Sequence, residues 1–213
     1  MKKLVIVGSG GFAREVLWLI EDINKTAGGN DMPYLVLGFI STEAVTHIQG
    51  LPVLGDDAWA FENLDPSVRF VLAIGDSTLR AKLALDYQQH GLHPLRLVHP
   101  SVVMSDEVQM GGGAIVCAGA VLTVNIQIGA FCVVNLNSTI GHDCRLGDFV
   151  TLHPGVHLSG GAEVGDLSIL GTGAVVLPGI KIGDHSVVGA GAVVTEDLIG
   201  NATYIGVPAR ESN

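Results

Sequence analysis

The sequence predicts an α/β, Rossmann-like N-terminal domain followed by a left-handed parallel β-helix. Three observations carry this expectation. From Val98 through Val194 every sixth residue is a medium-sized or large aliphatic, seventeen positions in a row without exception. The fourth residue after each is mostly small or β-branched, as in Val102, Ala114, Cys132, Ser138, Cys144 and Ala192, with Ile126 and Ile180 as larger exceptions. The chain also opens on an apolar run, Leu4-Val5-Ile6-Val7, that breaks at Gly8-Ser9-Gly10-Gly11 ahead of helical spacing.

Taken in order, the first strand and its glycine loop lead into a helix over residues 12–27, read from Val16, Leu17, Leu19, Ile20 and Ile23. A second strand spans residues 34–40, a third 69–74, and a helix over 78–90 follows it. Strands alternating with helices imply a parallel sheet with crossovers. The domain border is placed after Pro94, giving residues 1–94 and 95–213. In the second half neither the period of two of a strand nor the 3.6 of an α-helix sustains a beat of six; hexapeptides wound three to a coil do. Eight of the aliphatics are followed directly by glycine (111, 129, 141, 147, 165, 171, 183, 189), which is read here as a corner residue tolerating positive φ. An outward face from Gly111 to Val134 is rich in apolar residues (Ile115, Val121, Val124, Phe131, Val133), and an apolar face seeks a partner.

Composition narrows the function. Aromatics are only 5% and glycines number 29 of 213, as a coil filled by aliphatics requires. The net charge of −10 opposes binding to nucleic acid, whose phosphates it would repel. No stretch has the ~18 apolar residues of a membrane span, and Met1-Lys2-Lys3 leads into a strand rather than a signal sequence, so the cytoplasm is the expected compartment. Of the three cysteines, Cys132 and Cys144 share the small interior slot twelve residues apart, on different sides of the coil, which makes them packing residues rather than a disulfide or metal pair.

Gly8-Ser9-Gly10-Gly11-Phe12-Ala13 fits a loose G-x-G-x-x-A loop at a strand-to-helix junction, where backbone N–H groups hold phosphate and glycine permits close approach. The domain is short for a dinucleotide, and Phe39-Ile40-Ser41-Thr42-Glu43 offers no clear acidic partner for a ribose at the expected place. A mononucleotide or nucleotide sugar fits better. Ala73-Ile74-Gly75-Asp76 belongs beside the loop at the carboxyl edge of the sheet. On the coil, Asn135-Leu136-Asn137-Ser138-Thr139-Ile140-Gly141-His142-Asp143 is the richest polar cluster. His142 lies two residues past an interior slot, which projects it outward near a corner, and the adjacent carboxylate suits an imidazole acting as a general base.

With these stretches, together with Leu79-Arg80 and the ending Gly206-Val207-Pro208-Ala209-Arg210, the chain resembles the bacterial sugar acyltransferases of the NeuD/PglD type over nearly its whole length. The resemblance implies acetyl transfer from acetyl-CoA to an amino group on a nucleotide-linked 4-amino-4,6-dideoxy sugar, in the synthesis of surface polysaccharide or glycan, without a metal. It assigns His142 as the base and Asp143 as its partner, where relatives often carry the longer glutamate. Asn135 then holds the amino sugar, and Gly8, Gly10, Gly11, Ile74 and Gly75 hold the nucleotide. Some relatives place a second histidine nine positions after the base; here Thr151 stands there, and His153 is out of register. The resemblance further implies a homotrimer with the CoA arm along the later coils, where Gly160, Gly171, Gly173, Gly189 and Ala190 allow close approach; the chemistry of acyl transfer calls for an oxyanion donor, and a backbone N–H of Ser159-Gly160-Gly161 is the candidate.

Other readings stay open on the residues alone. An O-acetyltransferase of sialic acid or a related sugar needs the same base. A γ-type carbonic anhydrase would need three converging histidines, and only His153 and His157 lie close, with the glycine-loop domain left unexplained. A non-catalytic sugar-binding scaffold leaves His142 and Asp143 without a role.

Overall fold

A computed structural model describes residues 1–28 and 33–212. The chain divides into two compact units, Met1–Pro100 and Ser101–Asn213, a few residues beyond the border read from the sequence.

In the first unit, strands β1 (Lys2–Val7), β2 (Tyr34–Ile40), β3 (His47–Ile48), β4 (Leu51–Gly55), β5 (Arg69–Leu72) and β6 (His93–Pro94) form one sheet in the order β3-β4-β2-β1-β5-β6. β1 pairs in parallel with β2 on one side and β5 on the other. Only the short β3–β4 hairpin is antiparallel. Helices α1 (Gly11–Thr26), α2 (Asp57–Asn63) and α3 (Ser77–Gln89) complete the unit. α1 buries Val16, Leu17, Leu19 and Ile20 of the stripe that its sequence spacing implies, together with Ala13, while Ile23 is half-buried. The β3–β4 hairpin and α2 carry too few residues for a periodicity to announce them. α2 and α3 start on Asp56 and Asp76, whose carboxylates accept from the Trp59 and Leu79 N–H groups at 2.9 and 2.7 Å. α1 starts on Gly10, with no side chain capping it.

In the second unit, short strands stack into three sheets, parallel from coil to coil with partners eighteen residues apart, as in Ile115↔Val133, Val121↔Thr139 and Gln127↔Arg145; at the C-terminal end of one sheet Thr203–Ile205 pairs in parallel with Val187–Val188 and antiparallel with Arg210–Glu211. Three hexapeptides therefore make one coil of a left-handed β-helix. From Val116 to Val194 the aliphatics of the sixfold beat are all buried in its axis, and so are the small residues Ala114, Cys132, Ser138, Cys144 and Ala192. Each aliphatic so buried is worth roughly 1.5–3 kcal/mol. The column opens at its first coil, where Met104 is exposed.

Two expectations are corrected here. From Met110 to Val188 the left-handed backbone falls on the third residue after each aliphatic, not the first: Asn125, Phe131, Asn137, Asp143, Phe149, Leu167 and His185 have φ between 55° and 62°, and Gly113, Gly161 and Gly173 share that slot. The glycines directly after the aliphatics are needed for another reason. A Cβ on Gly111 would stand 2.5 Å from the Ala130 nitrogen, and one on Gly171 2.6 Å from that of Ala190, so the next coil's backbone occupies the space. The second correction concerns the apolar outward face. Ile115, Phe131 and Val133 are already buried within the single chain, leaving Val121 and Val124 as its exposed members at 37% and 46%.

Candidate active site

Two places, one in each unit, gather the residues that could do chemistry. In the first unit a cleft of about 540 Å³ opens at the carboxyl ends of β1, β2 and β5, lined among others by Gly8, Gly10, Gly11, Ile74 and Gly75. β1 has neighbours reached by crossovers on both sides, and such a switch point is where an open α/β sheet binds ligands. Gly8 must be glycine: its φ is +118°, and a Cβ would stand 2.8 Å from the Ala73 carbonyl oxygen. A Cβ on Gly10 would meet nothing within 4 Å, so that residue faces the open cleft. The uncapped start of α1 directs its first N–H groups and the positive end of its dipole at this space.

The cleft also holds groups that sequence reasoning did not assign. The Ser41 hydroxyl donates to Ser9 Oγ at 2.8 Å, tying the end of β2 to the glycine loop. Glu43, which follows it, lines the cleft as well and supplies a carboxylate a few residues past the end of β2. Buried Arg80 donates to the carbonyls of Ile74 and Gly75 at 2.8 and 3.2 Å, fixing the opposite lip. Arg80 lies on the buried face of α3 with Ser77, Leu83, Ala84 and Tyr87, a face whose mixed polarity gives no apolar stripe for periodicity to find.

In the second unit His142 stands at a corner with 65% of its side chain exposed, and its Nδ1 lies 2.7 Å from Asp143 Oδ2. The Asn125 amide, donating to Asp143 Oδ1 at 2.6 Å, and the His142 ring together hold the Asp143 carboxyl below its usual range. An ionised carboxylate at Nδ1 keeps the ring proton there and leaves the Nε2 lone pair free. The ring lies against Gly160 of the next coil, where a Cβ would stand 2.5 Å from His142 Cε1. Of the three backbone donors beneath it, the Ser159 N–H is spent on Val176 O at 3.0 Å and the Gly161 N–H on His142 O at 2.8 Å. The Gly160 N–H has no acceptor among the described residues. A free imidazole nitrogen beside an uncommitted N–H is equipment for removing one proton and receiving one developing negative charge.

Asn135 is not gathered into this corner. It stands at the preceding corner of the coil, separated from His142 by the strand Thr139–Ile140, and its Oδ1 accepts from the Leu136 N–H at 2.7 Å. Thr151 is buried, and the His153 carbonyl accepts from Ser138 Oγ at 3.1 Å. His157 meets Thr139 Oγ1 through Nδ1 at 2.8 Å. Coil packing by itself accounts for Gly171 and Gly189, whose Cβ atoms would strike Ala190 and Ile205, whereas Gly173 is open and takes φ +71°. Among the described residues no three His, Cys, Asp or Glu side chains cluster as a metal site. All three cysteines are buried thiols outside any disulfide; the Cys132 and Cys144 thiols donate to Gly147 O and Ser159 O.

Known proteins resemble this chain in both halves. Residues 3–86 match the PglD N-terminal domain family, and residues 161–196 match the bacterial transferase hexapeptide (six repeats) family. A GDP-perosamine N-acetyltransferase of Escherichia coli O157:H7 is 30% identical over 113 residues, a match spanning 52% of this chain and about half, 49%, of that protein's length. Among solved structures, a histidine-to-asparagine variant of perosamine N-acetyltransferase from Caulobacter crescentus, in complex with CoA and GDP-perosamine, is 35% identical. It superposes with a TM-score of 0.89, covering 99% of this chain and 97% of that one. The acetyltransferase domain of PglB from Neisseria gonorrhoeae, in complex with acetyl coenzyme A, is 29% identical with a TM-score of 0.91 and 99% coverage of both chains.

Proposed function

Because this chain belongs to the PglD-like family of sugar acetyltransferases, we propose that it moves the acetyl group of acetyl-CoA onto the amine of a nucleotide-linked 4-amino-4,6-dideoxy sugar. The observation that carries the reading is the His142 corner: an exposed imidazole, oriented by an ionised carboxylate, beside an N–H that has no acceptor among the described residues. Relatives that bind CoA with GDP-perosamine, or acetyl coenzyme A, supply the substrate class.

The chemistry follows. A sugar ammonium has no lone pair, so it must reach the site as the free amine. As nitrogen attacks the thioester carbon, its proton passes to His142 Nε2, and Asp143 stabilises the imidazolium through Nδ1. The oxygen that becomes negative in the tetrahedral intermediate is met by the Gly160 N–H. Collapse breaks the carbon–sulfur bond, and the imidazolium returns the proton to the departing thiolate. A general base is worth roughly 10²–10⁴-fold and one oxyanion donor roughly 10²–10³-fold. The buried cysteines leave direct transfer without an acyl-enzyme as the simpler course.

The remaining assignments belong to the same reading. Gly8, Gly10, Gly11, Ile74 and Gly75 hold the nucleotide, supported by the open cleft at the uncapped start of α1. The Asn135 amide NH₂ holds the amino sugar. Gly160, Gly171, Gly173, Gly189 and Ala190 lie along the path of the CoA arm, and the open space at Gly173 suits close approach. Val103, Val121 and Val124 stay exposed, and Val103 and Val121 are sheet partners; this apolar strip supports a homotrimer. Work in the cytoplasm, feeding surface polysaccharide or glycan synthesis, fits a nucleotide-activated substrate. No helix among the described residues is long and apolar enough to cross a membrane.

The test is thiol release from acetyl-CoA with a panel of GDP-, UDP- and dTDP-linked amino sugars and free sialic acid. A nucleotide-linked 4-amino sugar should be the acceptor. With it, His142→Asn should cut turnover roughly 10²–10⁴-fold while acetyl-CoA still binds. Turnover only on the hydroxyl of sialic acid would replace this reading with O-acetylation.

A further inference from the structure

The left-handed corner residues of the coil stack in three columns. One column carries Phe131, Phe149, Leu167 and His185, another Gly119, Asn137, Gly155, Gly173 and Gly191, and the third Asn125, Asp143, Gly161 and Gly179. Among the described residues only the third brings a donor side chain onto an acceptor: Asn125 Nδ2 reaches Asp143 Oδ1 at 2.6 Å from one coil below. The backbones are tied as well, since the Asp143 N–H donates to the Val124 carbonyl at 3.1 Å. With φ near 55° and 62°, both residues hold a conformation that asparagine, aspartate and glycine tolerate best.

We propose that Asn125 is a positioning residue for acetyl transfer: it anchors one oxygen of the Asp143 carboxylate so that the other stays on His142 Nδ1. The inference rests on His142 acting as the base. Its physical ground is exposure. With 65% of the His142 side chain and 54% of the Asp143 side chain in solvent, the pair alone would gain little from its attraction and would lose it to side-chain rotation. A second hydrogen bond to the far oxygen removes that rotation. An amide suits the task because its NH₂ only donates, so it favours the ionised carboxylate and takes no part in proton transfer. The preference for the charged form agrees with Asn125 being the main cause that holds the Asp143 carboxyl low.

Asn125→Gly keeps the left-handed backbone and removes the amide, so it tests the contact without straining the corner. It should lower kcat about 10-fold, in the range typical of groups that orient a reacting residue, with both KM values within about threefold. In an Asp143→Gly background the same change should cost less than about twofold, because the carboxylate it serves is gone. Asn125→Asp sets two carboxylates together and should move the acid limb of the kcat/KM profile up by about one pH unit. A kcat within twofold of the parent, an equal loss in both backgrounds, or an unmoved acid limb would each overturn the inference. His142→Ala run in parallel separates the two levels. If it is inactive while the Asn125 variants behave as the parent, only Asn125 loses its role; if it retains near-normal turnover, the base and its positioning residue fall together.

Discussion

At the residue scale, the His142 corner depends on a side chain that is missing. Gly160 has no Cβ because the imidazole ring takes that space, and its N–H has no acceptor among the described residues. Gly160→Ala would push the ring off its seat and crowd the place where negative charge develops. We expect turnover to fall by roughly 10²-fold, the scale of a displaced base or a lost oxyanion donor, while the melting temperature drops only a few degrees. Steady-state kinetics beside a thermal melt checks both halves of that statement. The sequence offers Gly160 as one of three adjacent oxyanion candidates and as a CoA contact but cannot single it out, because the ring it accommodates comes from eighteen residues earlier.

At the element scale, the coil is held by a second ladder besides its strands. Asp148, Asp166 and Asp184 follow one another at eighteen-residue steps, and each carboxylate accepts from a backbone N–H one coil below: Ala130, Asp148 and Asp166, at 2.6, 2.7 and 2.9 Å. The glycines that precede this corner make room for it, since a Cβ on Gly129 would stand 2.5 Å from Asp148 Oδ1 and equally close to the Gly147 carbonyl carbon. Gly129→Ala is therefore an overpacking change costing about 1–3 kcal/mol, to be seen as a lower melting temperature with the helical signal of the first unit retained. A melt equal to that of the parent would show that the coils have slack.

At the scale of the whole molecule, the proposed function divides the labour between the two units, so damage to one should leave the other's property intact. Gly10 faces open space, and its extended backbone suits any residue. Gly10→Trp should fold, fill the cleft, and raise KM for the nucleotide sugar by at least about 10-fold, a cost of about 1.4 kcal/mol in binding. KM for acetyl-CoA should stay within about threefold. Kinetics with each substrate varied in turn gives the answer, and equal rises in both KM values would contradict the division.

How much of this was legible beforehand follows from the range of each interaction. The sixfold beat named the coil because burial along an axis repeats with the chain's own period, and the glycine loop named the α/β half because a strand, a tight turn and a helix are neighbours in sequence. The contact between His142 and Asp143 was legible for the same reason: adjacent residues need no fold to meet. The tertiary structure decided what lies between coils. It moved the left-handed conformation from the glycines to the third residue of each turn, drew Ile115, Phe131 and Val133 out of the exposed face, and brought Asn125 to Asp143 and Gly160 beneath His142. Those partners stand eighteen residues apart, and a hydrogen bond between coils has no signature in the hydrophobic period that builds the coil, because it is made by the polar residues that the period leaves free.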